Sequence, residues 1–171
     1  MTLRRFFALL STLLSFFCLI APGAQAADPT PQPVGETVRC PVCGMYPARY
    51  PQWMTQIVFS DASASSFDSP VEMFRFLNAM AKYDKRHSAA DIGAIYVVNY
   101  GGKGWLDAKQ AWFVSGSKAR GPMNDPNTPA FATQAEADAF AGKNGGKVIS
   151  FAEARAQFGG GAGENTDHLH H

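Results

Sequence analysis

The 171-residue chain reads as an α+β protein of two tandem ββαβ units, closed by a short C-terminal helix and a flexible tail. Three observations predict this. Phe67 to Phe76 and Phe131 to Phe140 share the pattern Phe-x-[Ser/Thr]-x-x-Glu-x-x-x-Phe. In each, a hydroxyl residue stands three before a glutamate, Ser69 with Glu72 and Thr133 with Glu136. That spacing is the capping-box signature of a helix start. Each helix start is flanked by β-branched and aromatic runs of strand length.

Taken in order, the chain opens with Arg4 and Arg5, then the apolar run Phe6 to Ile20, then Pro22-Gly23 and Ala24-Gln25-Ala26. A charged start, an apolar stretch and an A-x-A site form a secretory signal peptide, residues 1–26. The run is too short to span a membrane well. Cys18 lies inside it, behind the bulky Phe16-Phe17, whereas lipid-attachment cysteines follow small residues. A soluble periplasmic protein is the expectation, with membrane association only if Cys18 is lipidated. Residues 27–36, with Pro29, Pro31 and Pro33, read as an extended, semi-rigid linker. The folded domain is expected over 37–158.

Within it, Gln56 to Phe59 and Ser66-Phe67 read as the first two strands. Pro70 suits the first position of the helix that follows, and Met73, Leu77 and Met80 give that helix an apolar stripe. Ala94 to Asn99 completes the first unit. Ala111 to Val114, Ala130 to Ala132, a helix carrying Ala137, Phe140 and Ala141, and Lys147 to Ser150 form the second. A helix over Phe151 to Phe158 ends the fold. Residues 159–171 carry four Gly, the polar run Glu164 to Asp167 and a His-rich tip, and cannot bury apolar surface, so they read as a flexible tail.

Charge narrows the function. The signal takes two of the 15 basic residues and none of the 14 acidic ones, leaving the mature chain at −1. No nucleic-acid footprint is present in such a balance. The chemistry lies in Cys40-Pro41-Val42-Cys43-Gly44-Met45. With Cys18 removed, this segment holds both thiols of the mature chain. A zinc ribbon is excluded, because no second Cys pair exists. His87, after Lys85-Arg86, reads as an exposed loop histidine. A redox Cys-x-x-Cys normally caps a helix after a buried strand; here a proline-rich lead-in precedes it and Pro47 and Pro51 follow. A thiol–disulfide protein using Cys40 and Cys43 stays as the alternative. Thiolate and thioether sulfur are soft donors that favour Cu(I). Met45 stands two residues after Cys43, and Met123 is offered from the turn-rich loop Arg120 to Pro126. Met73 and Met80 read as core, and Met54 as ambiguous.

Several segments together resemble the NosL family of nitrous-oxide reductase accessory proteins. These are Cys40 to Met45, Phe67 to Met73, Leu106-Asp107-Ala108 with Ala111 to Ser117, Gly121-Pro122-Met123, and Gly145 to Val148. The resemblance implies a fold akin to the alkylmercury lyase MerB and a periplasmic, non-enzymatic Cu(I) chaperone. It further implies ligation by Cys43, Met45 and Met123, with Cys40 as an additional thiol. The implied partners are the apo form of nitrous-oxide reductase and the Nos ABC-transporter complex. Many family members are lipoproteins, and this chain departs from them in lacking a clear lipobox. Organomercurial cleavage, suggested by that fold alone, would need a further thiol and a placed carboxylate.

Overall fold

The computed structural model describes residues 29–159. The signal segment with Cys18, and the His-bearing tail beyond 159, lie outside the described residues. The first unit comprises β1 (Thr55–Phe59), β2 (Ala64–Phe67), α1 (Pro70–Asn78), the single-turn α2 (Met80–Tyr83) and β3 (Ile92–Val98). A further strand, β4 (Trp105–Asp107), follows. The second unit comprises β5 (Trp112–Ser115), β6 (Ala130–Phe131), α3 (Gln134–Asn144) and β7 (Lys147–Ser150), and α4 (Phe151–Gly159) ends the described chain.

The strands form two antiparallel sheets, ordered β2-β1-β3-β4 and β6-β5-β7. In both, the first strand of the unit lies between its hairpin partner and the strand after the helix. The sequence echo is therefore an echo of topology. β4, which the sequence reading omits, adds an edge to the first sheet alone. Central position explains why all five residues of β1 are buried: a strand paired on both sides and covered on its faces has no solvent side.

The two helix starts differ from their expected symmetry. Thr133 and Glu136 form the full reciprocal box at α3. At α1, Ser69 Oγ accepts from the Glu72 N–H at 3.4 Å, but Glu72 does not reach back. Its carboxylate turns to Arg75 instead. The expected capping box at α1 is thus half a box. The predicted stripe holds, with Met73, Leu77 and Met80 all buried, although Met80 begins the separate turn α2 after Ala79 leaves helical geometry.

Phe74 of α1 joins the units. Its ring meets Phe113 of β5 at 5.4 Å, Phe151 at 5.4 Å and Phe158 at 6.1 Å. Arg155 of α4 then caps the end of α1, donating to Leu77 O at 3.4 Å and to Asn78 Oδ1 at 3.1 Å. Carbonyls at a helix end lack intrahelical partners, so this contact satisfies one and holds α4 in place. Gly146 shows why two glycines precede β7. A Cβ there would lie 2.6 Å from Ser115 O, and its φ is +96°, a region open to glycine.

The proline-rich lead-in is extended but not loose. Gln32 N–H donates to Gln56 Oε1 at 2.6 Å, Gln56 Nε2 donates to Gln32 O at 3.2 Å, and Tyr96 OH donates to Pro29 O at 2.6 Å. His87 also departs from expectation. Its side chain is 7% exposed, stacked on Phe59 at 3.9 Å and held by Asp84 at 2.7 Å and Asp61 at 3.1 Å. The basic neighbours Lys85 and Arg86 implied solvent; the aromatic face of β1 and two carboxylates hold the ring instead.

Candidate metal centre

The segment Cys40 to Met45 folds back on itself. Gly44 N–H donates to Cys40 O at 2.9 Å, and Cys40 N–H donates to Met45 O at 2.8 Å. Closing so small a loop requires Gly44 at φ +76°, with open space where a Cβ would lie. The glycine is required by conformation, not by crowding. Arg39 braces the loop from outside, donating through Nη1 to Gly44 O at 3.1 Å.

Cys40 is 2% exposed and belongs to the core, against which Val42 and Cys43 also pack. Cys43 is half-buried. The loop thereby seats both thiols on the junction of β2 and α1. There Cys43 Sγ–H donates to Asp68 Oδ1 at 3.0 Å. The donor atoms of Cys40, Cys43 and Asp68 lie within 4.8 Å of one another. Among the described residues, this is the one cluster of three or more such side chains.

Asp68 is the residue that sequence reasoning missed. It was read as part of a helix-start pattern, with no chemistry of its own. It is fully buried, and its Oδ2 has no hydrogen-bond partner. Glu72, one turn on, is also buried with Oε2 unpartnered. A buried carboxylate oxygen without a partner is costly. These two, beside the N-terminus of α1, gain partial support from the helix dipole. The available signal was an acidic residue between buried Phe67 and a capping serine, where a neutral residue would serve the helix equally well.

The two thiols divide their roles electrostatically. The neighbouring Cys43 thiol lowers the pKa of Cys40 and outweighs the effect of burial. Cys43 is pushed up, first by its hydrogen bond with Cys40, then by burial and by Asp68. Burial likewise pushes the Glu72 carboxyl up, against the pull of Arg75.

Of the methionines singled out, Met45 is half-buried at the close of the loop. Met123 is 44% exposed. Its loop turns back through the Gly121 N–H to Asp125 O bond at 2.9 Å and reaches the start of α1. There Met123 lines a cleft with Asp68, Ser69, Glu72, Arg75 and Asp125. The fold thus brings Met123 beside Asp68, although 55 positions separate them in sequence. The carboxylate that organomercurial cleavage would need is present as Asp68, but no third thiol stands among the described residues.

An α+β fold of two ββαβ units with a half-buried dithiol–carboxylate cluster defines a class of protein suited to holding a thiophilic metal ion. The NosL family model matches residues 31–158, and the chain belongs to the NosL family. A similar relative is the copper-binding lipoprotein NosL of Achromobacter cycloclastes, 29% identical over 144 residues, covering 78% of this chain and 69% of that one. A similar fold is that of the crystal structure of the copper chaperone NosL from Shewanella denitrificans, with a TM-score of 0.60 and 24% identity. That match covers 74% of this chain and 96% of the other. Among the described residues, no helix is long and apolar enough to cross a membrane.

Proposed function

We propose that this chain is a periplasmic Cu(I) metallochaperone, acting by binding and handing over the ion, not by catalysis. The observation that carries this reading is the convergence of Cys40, Cys43 and Asp68 donor atoms within 4.8 Å on a half-buried face. Two thiols offer soft sulfur, which Cu(I) prefers over oxygen or nitrogen. Cys40 supplies the buried thiolate, and Cys43 is the sulfur an arriving ion can reach. Met45 and Met123 are the further thioether donors of the proposal. Asp68 steers the Cys43 thiol toward the ion. Because Cys43 must release its proton on loading, affinity falls as the pH falls.

A low-coordinate sulfur site keeps one side open, so an acceptor ligand can attack and take the ion by exchange. The destination we propose is the catalytic copper centre of nitrous-oxide reductase in its apo form, reached with the Nos ABC-transporter complex. Support for that client is family membership. Exposure weighs against the thiol–disulfide alternative. A redox nucleophile is an accessible, low-pKa thiol, whereas Cys40 is 2% exposed and the more exposed Cys43 thiol is pushed up.

X-ray absorption on the Cu(I)-loaded, reduced protein tests the proposal. The expected first shell is sulfur-dominated, and Met45→Leu and Met123→Leu each lower the sulfur count. A shell dominated by nitrogen or oxygen, unchanged in Cys43→Ser, contradicts it.

A further inference from the structure

Transfer by ligand exchange brings the acceptor's donor atoms to bonding distance of the ion. With Cys40 in the core, approach is confined to the Cys43–Met45 side of the loop, and whatever takes the ion must meet the residues that flank it. Those residues form a distinct surface. The exposed Arg39 and Arg49 both stack on the ring of Tyr46, with guanidinium carbons 4.5 and 4.7 Å from its centroid. Arg39 is further fixed by Gly44 O and the Tyr46 hydroxyl. Among the described residues, neither arginine has a carboxylate within 4.0 Å, and the ion pairs lie elsewhere. The two exposed large apolar side chains among the described residues are Val38, at 37%, and Met123, at 44%. Val38 is the neighbour of Arg39 in the chain, whereas Met123 lines the separate cleft at the start of α1.

We propose that this face docks an acidic protein surface, one whose own metal-receiving donors are surrounded by carboxylates. This rests on the metallochaperone reading and deepens it. Two guanidiniums share one tyrosine ring and, among the described residues, meet no carboxylate, so both are open to a partner's carboxylates. Stacking fixes their planar forks before contact, which suits bidentate carboxylate recognition. Arg, Tyr and Met are also the residue types enriched in protein interfaces. The chain as a whole is near neutral, so the patch is a local arrangement and not a consequence of composition.

The test compares two synthetic Cys-Ala-Ala-Cys peptides, one flanked by glutamates and one by lysines, as acceptors from the Cu(I)-loaded protein. In stopped-flow measurements at low salt, the glutamate peptide takes copper about tenfold faster, as expected of steered association. The advantage collapses at about 0.5 M salt through screening. Arg49 makes no hydrogen bond to the loop, so Arg49→Glu removes most of the advantage while leaving Cu(I) affinity within about threefold. Arg39→Glu adds to the effect. Equal rates for the two peptides overturn the proposal. On the copper-free protein, a cysteine-free glutamate peptide shifts the NMR signals of the Arg39 and Arg49 side chains. That readout holds even if the chain fails to bind Cu(I), which would sink only the functional reading. Arg49-dependent binding to vesicles of phosphatidylglycerol and phosphatidylcholine, without peptide binding, overturns the proposal in favour of a membrane.

Discussion

Asp68 stands one residue before the cap of α1, where it meets the Cys43 thiol with one oxygen and leaves the other unpartnered. Its proposed contribution to metal binding is separable from its cost to the fold. Asp68→Asn keeps the shape but removes the carboxylate. We expect it to weaken Cu(I) affinity by about 10–100-fold, the range for losing a group that orients a ligand. Stability should be unchanged or higher, since a neutral amide replaces a buried carboxylate with an unpartnered oxygen. Competition titration and urea unfolding on the same preparation check both halves. Gly44→Ala acts differently. It forces a side-chain-bearing residue to φ +76°, which costs about 1–2 kcal/mol, and it should lower both stability and affinity. The thiols and Gly44 were legible in sequence because their chemistry is local to six residues. Asp68 was not, because only the packing of that loop on the β2–α1 junction gives it a thiol to face.

Among the elements, α1 carries most of the architecture. Its N-terminus supplies Asp68 and Glu72, its buried face supplies Met73 and Leu77, and Phe74 reaches the second unit. Phe74→Ala should cost about 3–5 kcal/mol, the range for deleting a buried aromatic, read as a lower denaturant midpoint in the copper-free protein. The loop bearing His87 gives a pH signature. Hydrogen bonds that its ring donates to Asp84 and then to Asp61 raise the pKa of its imidazole. A raised folded-state pKa means that the stabilisation is complete below the unfolded value of about 6.5 and fades as pH rises through the folded value. The wild-type midpoint should therefore fall as pH rises above about 6.5, and His87→Gln should flatten that slope. Both helix starts and most strands were legible from periodicity and caps. β4 was not, because three residues carry no readable alternation. The break before α2 was not, because neither Pro nor Gly marks Ala79.

At the scale of the whole molecule, the same strand order recurs in both sheets. Two units of like topology pack through Phe74, Phe113 and the α4 aromatics. The first unit presents the thiol loop and the second presents Met123. A binding face drawn from both units depends on their packing, which the sequence signalled only through its internal echo. Long-range placement of Met123 beside Asp68 follows from that packing and from no local pattern. The central claim is that Cys40 and Cys43 hold Cu(I) on this face. Its most direct measurement is a Cu(I) competition titration of the reduced protein against a chelator of known affinity, comparing wild type with Cys43→Ser and the double Cys40→Ser/Cys43→Ser variant. Wild type should take up Cu(I) saturably, Cys43→Ser should lose more than about 10-fold in affinity, as for losing a ligand or more than its support, and the double variant should lose binding altogether. Cu(I) affinity within about threefold of wild type in the double variant, well under that range, would contradict that claim.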